Sequence, residues 1–366
     1  MRVAITGSDG FLGRHLKVRL RALCDHDVVG VSKLAFADDS QLRSALLGAQ
    51  VVVHLAGINR DTDDAVEFGN AALAQRLETV AEEMGVPTII YANSIQSDGD
   101  SPYGRGKRGA ADTFRDWSVR VGGTFVDLIL PNVFGEGGRP RYNSFVATFC
   151  QLLATGGVPH VDVDRTVSLI HAQDVAALII DHLGARATER VDAVGRQMGV
   201  SETLRLLQQM SATYETGQIP RIDDPFSVAL FNTYRSYLYP AWYPRPLDPK
   251  QDSRGTFVEL IRSESGQGQS SYSTTHPGIT RGNHFHLRKI ERFVVIEGEA
   301  RIALRPVGGT EVTCFDVSGE QPSFVDMPTL HTHNITNTGS GELVTMFWIN
   351  EIYDPADPDT FAEAVT

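Results

Sequence analysis

Two histidines and a glutamate near the end of the chain have the spacing of metal ligands. The segment GITRGNHFHLRKIERFVVIEG contains His284, His286 and Glu291. Side chains two residues apart on a strand point to the same face, so the two histidines converge. The later segment MPTLHTHNITN adds His331 and His333, which are also two apart, so periodicity alone cannot choose between them. Three imidazoles and a carboxylate suit zinc or another first-row divalent ion.

The chain begins with a glycine-rich motif that predicts a nucleotide-binding turn. An apolar strand pattern, RVAIT, leads into TGSDGFLG, which opens an amphipathic helix pattern. Glycine lets the backbone approach a pyrophosphate, which then meets the free N–H groups at the helix N-terminus. HLAG, at the end of a later apolar strand, offers small residues to the same ligand. The residues predicted to bind the cofactor here are Gly7, Asp9, Gly10, Phe11, Leu12, Gly13, Leu55, Ala56 and Gly57.

The end of the second strand indicates which nicotinamide cofactor is bound. An NAD enzyme usually has an acidic residue there, which binds the ribose hydroxyls. This chain has Ser32 and Lys33 instead, and a hydroxyl beside an ammonium suits a 2′-phosphate. Asp38 and Asp39 come later and are typical of the start of the next helix. We therefore expect NADPH.

Ser94, Tyr103 and Lys107 form the predicted catalytic set for hydride transfer to a carbonyl. Tyr103 and Lys107 are four residues apart, so they share one face of a helix and also contact the cofactor. The ordinary pKa of a phenol is roughly 10, and we expect the Lys107 ammonium and the charged nicotinamide ring to lower it. Ser94 can hydrogen-bond to the substrate carbonyl.

The candidate sites fall in two regions with different element patterns. Residues 1–245 alternate short apolar strands with amphipathic helices, which predicts a doubly wound parallel sheet of the Rossmann type. Four prolines within residues 240–249 mark a border, which we place near residue 246. Residues 246–366 contain short strand patterns broken by turns, which predicts an all-β sandwich or small barrel.

Composition excludes several classes of partner. The formal net charge of −12 argues against a protein that binds phosphate backbones, so no nucleic-acid partner is expected. Three widely spaced cysteines predict buried free thiols in a reducing compartment. No apolar run is long enough to span a bilayer, so we expect a cytoplasmic protein with no membrane partner. We also expect a homodimer.

The N-terminal motifs resemble those of the extended short-chain dehydrogenase/reductase family. TGSDGFLG, HLAG, the serine at a strand end, YGRGK, PNVFG and SLIHAQDVAALI occur in the order that this family shows. The resemblance covers residues 1–245. It implies a Rossmann fold, a nicotinamide cofactor and a nucleotide-sugar substrate.

The C-terminal motifs resemble those of the cupin superfamily, which forms jelly-roll barrels. The spacing G-x5-HxH-x4-E-x6-G matches the first cupin motif, and the second resembles PxGxxHxxxN with Leu330 in place of the glycine. That register selects His333 as the fourth ligand and leaves His331 outside. TRGNHFH also resembles the RGxH stretch of metal-free dTDP-sugar 3,5-epimerases, in which the histidine aligned with His284 is the base rather than a ligand.

The two regions together resemble a family of bifunctional capsule-sugar enzymes, and NSIQ, YNSFVATFC, THPGITRGNHFH and THNITNTG carry this resemblance. It implies that the cupin epimerises C3 of a UDP-4-keto-6-deoxy-N-acetylhexosamine and that NADPH then reduces the C4 ketone. The implied product is UDP-2-acetamido-2,6-dideoxy-L-talose, on the route to UDP-N-acetyl-L-fucosamine. A proton beside a ketone is acidic because its carbanion is an enolate, and reduction removes the ketone, so epimerisation must come first.

Two other functions remain open from the sequence. The cupin could be a sugar-binding or dimerising module with a structural metal, which would leave a ketosugar reductase with one activity. Failure of C3 proton exchange would favour that function. Alternatively, the first region could be a non-catalytic NADPH sensor, which the absence of NADPH oxidation with any ketosugar would favour.

Cofactor choice provides the first prediction. NADPH should bind more tightly than NADH, and Lys33→Ala should narrow the difference because it removes the ammonium that pairs with the 2′-phosphate. Fluorescence titration of both cofactors measures the two affinities, with Lys250→Ala in the C-terminal region as the control. Equal affinities for NADPH and NADH in the unmodified protein would contradict the prediction.

Overall fold

The computed structural model describes residues 1–366, and their contacts divide the chain into two compact units. The first comprises Met1–Phe134, Gly138–Phe145 and Asp164–Val200, and the second comprises Gly135–Gly137, Val146–Val163 and Ser201–Thr366. The helices are α1 (Phe11–Leu23), α2 (Lys33–Ala37), α3 (Asp39–Leu46), α4 (Asp63–Glu83), α5 (Pro102–Val121), α6 (Phe145–Ala154), α7 (Ala172–Asp181), α8 (Val200–Glu215) and α9 (Pro225–Ser236), with a short 3-10 helix at Ile95–Asp98. None of these helices has both the length and the apolar composition that crossing a membrane requires.

The strands are short and are distributed over both units. Those of the first unit are β1 (Arg2–Thr6), β2 (Asp27–Val31), β3 (Val51–His54), β4 (Thr88–Ser94), β5 (Thr124–Leu130), β6 (Asn132–Phe134), β7 (Thr166–His171), β8 (Glu189–Asp192) and β9 (Arg196–Gly199). Those of the second unit are β10 (Arg245–Pro246), β11 (Lys250–Asp252), β12 (Gly255–Phe257), β13 (Gln269–Thr275), β14 (Thr280–Phe285), β15 (Glu291–Glu297), β16 (Glu299–Pro306), β17 (Thr313–Ser318), β18 (Ser323–Met327), β19 (His331–Asn337), β20 (Leu343–Ile349) and β21 (Phe361–Ala362).

The first unit is built on a six-stranded parallel sheet with the order β2-β1-β3-β4-β5-β8. Alternate residues of each strand enter two different cores, one on each face. Val3 and Val53 pack in a core with residues of α1 and α7, whereas Ala4 and Val52 pack in a core with residues of α3, α4 and α5. A smaller sheet, β6-β7-β9, completes the unit. The predicted Rossmann-like parallel sheet is confirmed.

The strand order of the large sheet reverses between β1 and β3. Ligands of open parallel sheets bind at such a reversal, outside the carboxyl ends of the strands. Thr6 is in register with both Val31 and His54, so the segments that follow these three strands meet at one edge. These segments contain all the residues of the predicted cofactor site that precede Tyr103.

The second unit contains two five-stranded antiparallel sheets and a short hairpin, β11-β12. Their orders are β10-β18-β15-β20-β13 and β17-β16-β19-β14-β21. Glu291 on β15 of the first sheet contacts His284 and His333 on strands of the second, so the inner faces of the two sheets face each other. The predicted C-terminal all-β region is confirmed, and its assignment to the cupin fold stays a prediction.

A buried ion pair holds β15, β18 and α8 together. Arg292 donates to both carboxylate oxygens of Asp326, at 2.7 and 2.9 Å, and the two side chains are 1% and 0% exposed. Tyr214 of α8 donates its hydroxyl proton to Asp326 at 2.5 Å, and Arg292 also donates to the carbonyl of Gly217 at 2.8 Å. The Arg292 guanidinium lies 3.6 Å from the centre of the Phe324 ring. The charges are therefore paired and hydrogen-bonded despite complete burial.

These contacts place residues 201–245 in the second unit, whereas the sequence pattern groups them with the first region. The physical reason is that α8 and α9 carry polar side chains whose partners lie beyond residue 280. Besides Tyr214, Asn232 donates to the carbonyl of Arg288 at 2.7 Å, and Arg235 donates to the carbonyl of Met327. That a border near residue 246 separates a reductase region from an epimerase region stays a prediction.

The three cysteines are free thiols. Cys150 is buried, which raises the pKa of its thiol, and Cys24 is half-buried. Cys314 is exposed, so the prediction that all three thiols are buried is wrong for this residue. Alternate residues of the edge strand β17 point inward and outward, and Cys314 occupies an outward position between them.

The buried ion pair generates a stability prediction. Asp326→Ala should lower the free energy of unfolding of the second unit by about 3–5 kcal/mol, because it leaves the Arg292 charge buried without its partner. The matched control is Asp316→Ala, which breaks an exposed cross-strand pair with Arg301 and should change the free energy of unfolding far less. Urea unfolding monitored by tryptophan fluorescence measures both effects. Equal effects of the two substitutions would show that the buried pair has no special role.

Candidate functional site

The glycine-rich turn has the geometry of a phosphate cradle. Gly7 has a positive φ of 68°, and a Cβ atom added to it would lie 2.8 Å from the backbone nitrogen of Ala56. A Cβ atom on Gly13 would lie 2.4 Å from the carbonyl oxygen of Gly7. Gly10 caps α1 without a side-chain hydrogen bond, so the N–H groups of the first turn stay available for an anion. These residues fit the pyrophosphate of a dinucleotide.

Ser32 and Lys33 lie where the sequence predicts a 2′-phosphate site. Ser32 directly follows β2 and caps α2, because its hydroxyl oxygen accepts a hydrogen bond from the Ala35 N–H at 3.2 Å. Its O–H proton remains able to donate to a phosphate. Lys33 is the exposed first residue of α2. Asp38 caps α3 and Asp39 begins it, as predicted for the start of a helix.

Lys107 connects α5 to the end of β4. Its amine donates to the carbonyl of Ala92 at 2.6 Å and lies 4.2 Å from the centre of the Tyr91 ring. Ser94 is the last residue of β4, and its hydroxyl accepts a hydrogen bond from the Gln96 N–H at 3.2 Å. Ala92 and Ser94 are two residues apart on β4, so the contact with Ala92 places the Lys107 amine near the end of the strand that carries Ser94.

Tyr103 lies one turn before Lys107 on α5 and is half-buried. Burial, with a smaller contribution from the neighbouring phenol of Tyr142, raises the pKa of Tyr103 to about 12. Burial lowers the pKa of Lys107 to about 7, against the opposing effect of Asp127. The sequence predicts that the lysine ammonium and the charged nicotinamide ring together lower the pKa of this phenol, whereas in the protein alone burial is the larger effect and raises it.

Asp127 is a site residue that the sequence reasoning missed. It is 3% exposed on β5 and accepts a hydrogen bond from the side-chain amide of Asn93 at 2.8 Å. Its negative charge favours the ammonium form of Lys107. The signal that could have identified it is the one acidic residue within the otherwise apolar strand TFVDLIL. A charge in such a strand needs a partner nearby.

The structure brings together the four predicted metal ligands of the second unit, His284, His286, Glu291 and His333. One ligand atom from each residue lies within 4.8 Å of all the others. Glu291 Oε2 is 3.1 Å from Nε2 of both His286 and His333, and 3.6 Å from Nε2 of His284. His286 and His333 are fully buried, whereas 22% of the His284 side chain is exposed. The cluster is thus accessible from the side of His284.

Backbone carbonyls orient two of these imidazoles. The Nδ1 of His286 donates to the carbonyl of Asp359 at 2.5 Å, and the Nδ1 of His333 donates to the carbonyl of His331 at 3.3 Å. A carbonyl can only accept, so Nδ1 of each ring carries a proton, and in the neutral form of the ring the Nε2 lone pair faces Glu291. Such an orientation is typical of metal-binding histidines.

The protonation states in the cluster also suit a cation. Burial lowers the pKa of His333 to about 4, so its ring is neutral near pH 7. The Nε2 lone pair of His333 therefore faces a carboxylate oxygen, and a cation bound between the imidazole and the carboxylate would stabilise this arrangement. The donor set fits a divalent metal ion.

His331 lies outside the cluster. Its Nδ1 donates to the carbonyl of Thr329 at 3.0 Å, and its ring packs edge-on against Tyr239 with the ring centres 4.9 Å apart. The geometry therefore groups His333, rather than His331, with the other three residues. The metal-binding role itself stays a prediction.

Comparison with known proteins identifies the family. Residues 3–192, more than half of the chain, match the NAD dependent epimerase/dehydratase family. This chain belongs to that family. Residues 250–361 match the polysaccharide biosynthesis C-terminal domain. The chain is also 31% identical over 373 residues to the UDP-2-acetamido-2,6-beta-L-arabino-hexul-4-ose reductase of Pseudomonas aeruginosa, with 100% of this chain and 99% of that protein covered.

Solved structures show the same similarity. The crystal structure of the capsular polysaccharide assembling protein CapF from Staphylococcus aureus is 32% identical, with both chains covered over 100% of their length and a TM-score of 0.62. The UDP-N-acetylglucosamine 4-epimerase of Bacillus cereus is 16% identical, with 66% of this chain and 96% of that chain covered and a TM-score of 0.54. This second similarity concerns the fold alone.

The His–Glu cluster generates a metal-binding prediction. The purified protein should contain about one divalent ion per chain, because a site with one carboxylate and three imidazoles holds one ion. His333→Ala should remove the ion, whereas the control His331→Ala should leave it bound. Elemental analysis of the unmodified protein and of both variants measures the metal content. Loss of the ion in His331→Ala but not in His333→Ala would contradict the assignment.

Proposed function

We propose that this chain is a bifunctional nucleotide-sugar enzyme that epimerises C3 of a UDP-4-keto-6-deoxy-N-acetylhexosamine and then reduces its C4 ketone with NADPH. A role as a nucleotide-sugar epimerase or reductase in polysaccharide biosynthesis follows from the family and from its relatives. The observation that carries the finer proposal is the presence in one chain of two reactive centres. Tyr103 and Lys107 belong to the first unit, and the His–Glu cluster belongs to the second.

The reductive step is assigned to the first unit. NADPH, when bound to the glycine turn with its 2′-phosphate at Ser32 and Lys33, supplies a hydride. Tyr103 then donates a proton to the oxygen formed at C4, while Ser94 hydrogen-bonds to the same oxygen. The raised pKa of Tyr103 supports this role, since a phenol that is protonated at neutral pH can act as the acid. Reduction, unlike oxidation, begins with an uncharged nicotinamide ring, so no cofactor charge opposes that protonation.

The epimerisation step is assigned to the second unit. A divalent ion, for which we propose zinc, would be held by His284, His286, Glu291 and His333 and would stabilise negative charge on the ketone oxygen as a Lewis acid. A base would accept the C3 proton to give an enolate, and an acid on the opposite face would return a proton and so invert C3. The name of the Pseudomonas aeruginosa relative supports a UDP-linked 4-ketosugar as the compound that is reduced.

A second assignment for His284 is supported by its exposure. It is the most accessible residue of the cluster and the farthest from Glu291, at 3.6 Å. An accessible imidazole could remove the C3 proton itself, as in the metal-free epimerases that TRGNHFH resembles. Freshly purified protein without metal, but with C3 exchange, would favour this assignment over the metal site.

We propose UDP-2-acetamido-2,6-dideoxy-L-talose as the product, which the resemblance to the bifunctional capsule-sugar enzymes implies. Epimerisation must precede reduction in this proposal. The C3 proton is acidic while C4 is a ketone and loses that acidity when C4 becomes an alcohol. The alternative, in which the second unit is a binding or dimerising module, makes a different prediction for C3. In that case the C3 configuration would be unchanged, and NADPH oxidation would occur without C3 exchange. The homodimer stays a prediction.

The two chemistries should separate by mutation. Tyr103→Phe keeps the ring and removes the acid, so NADPH oxidation with the UDP-4-ketosugar should fall by roughly a hundredfold or more. The C3 proton should still exchange with D2O without NADPH, as measured by NMR. The control Tyr353→Phe changes an exposed tyrosine of the second unit and should affect neither reaction.

His333→Ala should have the reciprocal effect: C3 exchange should be lost, while slower reduction of the unepimerised ketosugar persists. If C3 exchange vanishes in Tyr103→Phe while the variant stays folded and metal-loaded, the proposed division of labour is wrong. If the unmodified protein oxidises NADPH with the ketosugar but shows no C3 exchange, it is a reductase with one activity.

A further inference from the structure

A pair of arginines meets one aromatic ring in the first unit, in segments that the catalytic assignment does not use. The guanidinium of Arg60 lies 5.7 Å from the centre of the Tyr142 ring, and that of Arg139 lies 4.9 Å from it. Both arginines are exposed, whereas Tyr142 is half-buried. Because these contacts are made with a π-face, they leave N–H groups of both guanidinium groups able to bind an anion, apart from the Arg60 Nη1 that donates to the Arg141 carbonyl.

The backbone around Tyr142 holds this arrangement in place. Arg60 donates to the carbonyl of Arg141 at 2.9 Å, which connects two segments 81 residues apart in the sequence. Arg141 itself has a φ of 55°, in the left-handed region that non-glycine residues adopt at some energetic expense. The loop that contains Arg141 therefore tolerates local strain, and in this conformation Arg60 and Arg139 both contact the ring of Tyr142. An anion that binds beside the ring would pair with these positive charges.

The position of the pair relative to the catalytic residues indicates which anion it binds. Arg60 lies three residues after Gly57, in the segment that follows β3 at the nucleotide edge of the sheet. Tyr142 is close enough to Tyr103 for its phenol to raise the pKa of Tyr103. The arginines therefore lie near the point where the C4 ketone would be reduced, whereas the glycine turn already provides for the cofactor pyrophosphate.

We propose that Arg60 and Arg139, positioned by the ring of Tyr142, bind the diphosphate of the nucleotide-sugar substrate. Guanidinium groups match phosphate oxygens with two parallel N–H donors, which makes arginine well suited to this ligand. The inference rests on the proposed function, because it names the substrate group that this part of the reductase site recognises. It assigns Arg60 and Arg139 as specificity residues for diphosphate-linked sugars over free sugars.

The test measures binding of UDP, a probe that has the diphosphate but undergoes no reaction. Arg60→Met and Arg139→Met keep most of the side-chain length and remove the charge. Each should raise the dissociation constant for UDP by about 10- to 100-fold, the effect of losing a hydrogen bond to a charged group. The dissociation constant for NADPH should stay unchanged. Isothermal titration calorimetry at fixed ionic strength measures both ligands.

Three further variants act as controls. Arg186→Met removes an exposed arginine from the loop after α7 and should leave UDP binding unchanged. Tyr142→Phe keeps the ring and should retain UDP binding, whereas Tyr142→Leu removes the ring and should weaken it several-fold, since the contact of an arginine with an aromatic ring contributes about that much. This difference would show that the ring, rather than the phenol hydroxyl, positions the arginines.

Each outcome decides the proposal. Weaker UDP binding with unchanged NADPH binding in the arginine variants supports it. Weaker NADPH binding alone assigns the arginines to the cofactor and overturns it, as does unchanged binding of both ligands. If Arg186→Met weakens UDP binding as much as the other arginine variants do, the effect is one of net charge, and the proposal is overturned. If the ketosugar is not reduced but the UDP result holds, the proposed reaction fails and the diphosphate site stands.

Discussion

The buried pair of Arg292 and Asp326 determines where the second unit can place its reactive residues. Glu291 and Arg292 are adjacent on β15, so their side chains point to opposite faces of the sheet. Arg292 is in register with Asp326 on β18 and is hydrogen-bonded to it, while Glu291 points to the other sheet and to the three histidines on or directly after its strands. A shift of one residue would exchange the two faces. It would bury the arginine among imidazoles and remove the carboxylate from them, so the ion pair makes that register unfavourable.

A comparable constraint operates in the first unit through backbone alignment. The parallel register of β1, β2 and β3 brings the segments after Thr6, Val31 and His54 to one edge. Lys107 is tied to this edge because its amine donates to the carbonyl of Ala92, near the end of β4. Sequence segments that are far apart thus meet at one edge of the sheet, and this alignment brings together the side chains that the local motifs supply.

The features that could be predicted from the sequence are those with a local spacing. The glycine turn, the YxxxK pair and the HxH segment each lie within one element and its adjoining turn, so periodicity indicates their faces. The same periodicity could not separate His331 from His333, because both occupy equivalent positions on β19. Their different surroundings result from packing: His331 contacts Tyr239, and His333 contacts Glu291.

The residues that sequence reasoning missed depend on contacts between distant segments. Arg60 and Arg139 meet at Tyr142 across about eighty residues, and no motif spacing describes such a meeting. The position of residues 201–245 has the same explanation, because Tyr214 finds its acidic partner at Asp326. Asp127 was visible as an acid in an apolar strand, but its effect on Lys107 requires the packing of α5 on the sheet.

Burial sets the protonation states of both sites, with opposite results that suit their proposed roles. Desolvation disfavours whichever form of a group is charged. For the phenol of Tyr103 the charged form lacks the proton, so burial keeps the proton on and raises the pKa to about 12. For the imidazole of His333 the charged form carries the extra proton, so burial keeps that proton off and lowers the pKa to about 4. One site thus holds an acid that can protonate an alkoxide, and the other holds lone pairs for a cation. The residue types of the two sites follow from the sequence, but the pKa of Tyr103 in the protein alone depends on tertiary burial, which local spacing does not describe. An exposed Tyr103 would lose its proton more readily, and an exposed His333 would bind one more readily, so the packing that stabilises each unit also maintains the form in which each residue can act.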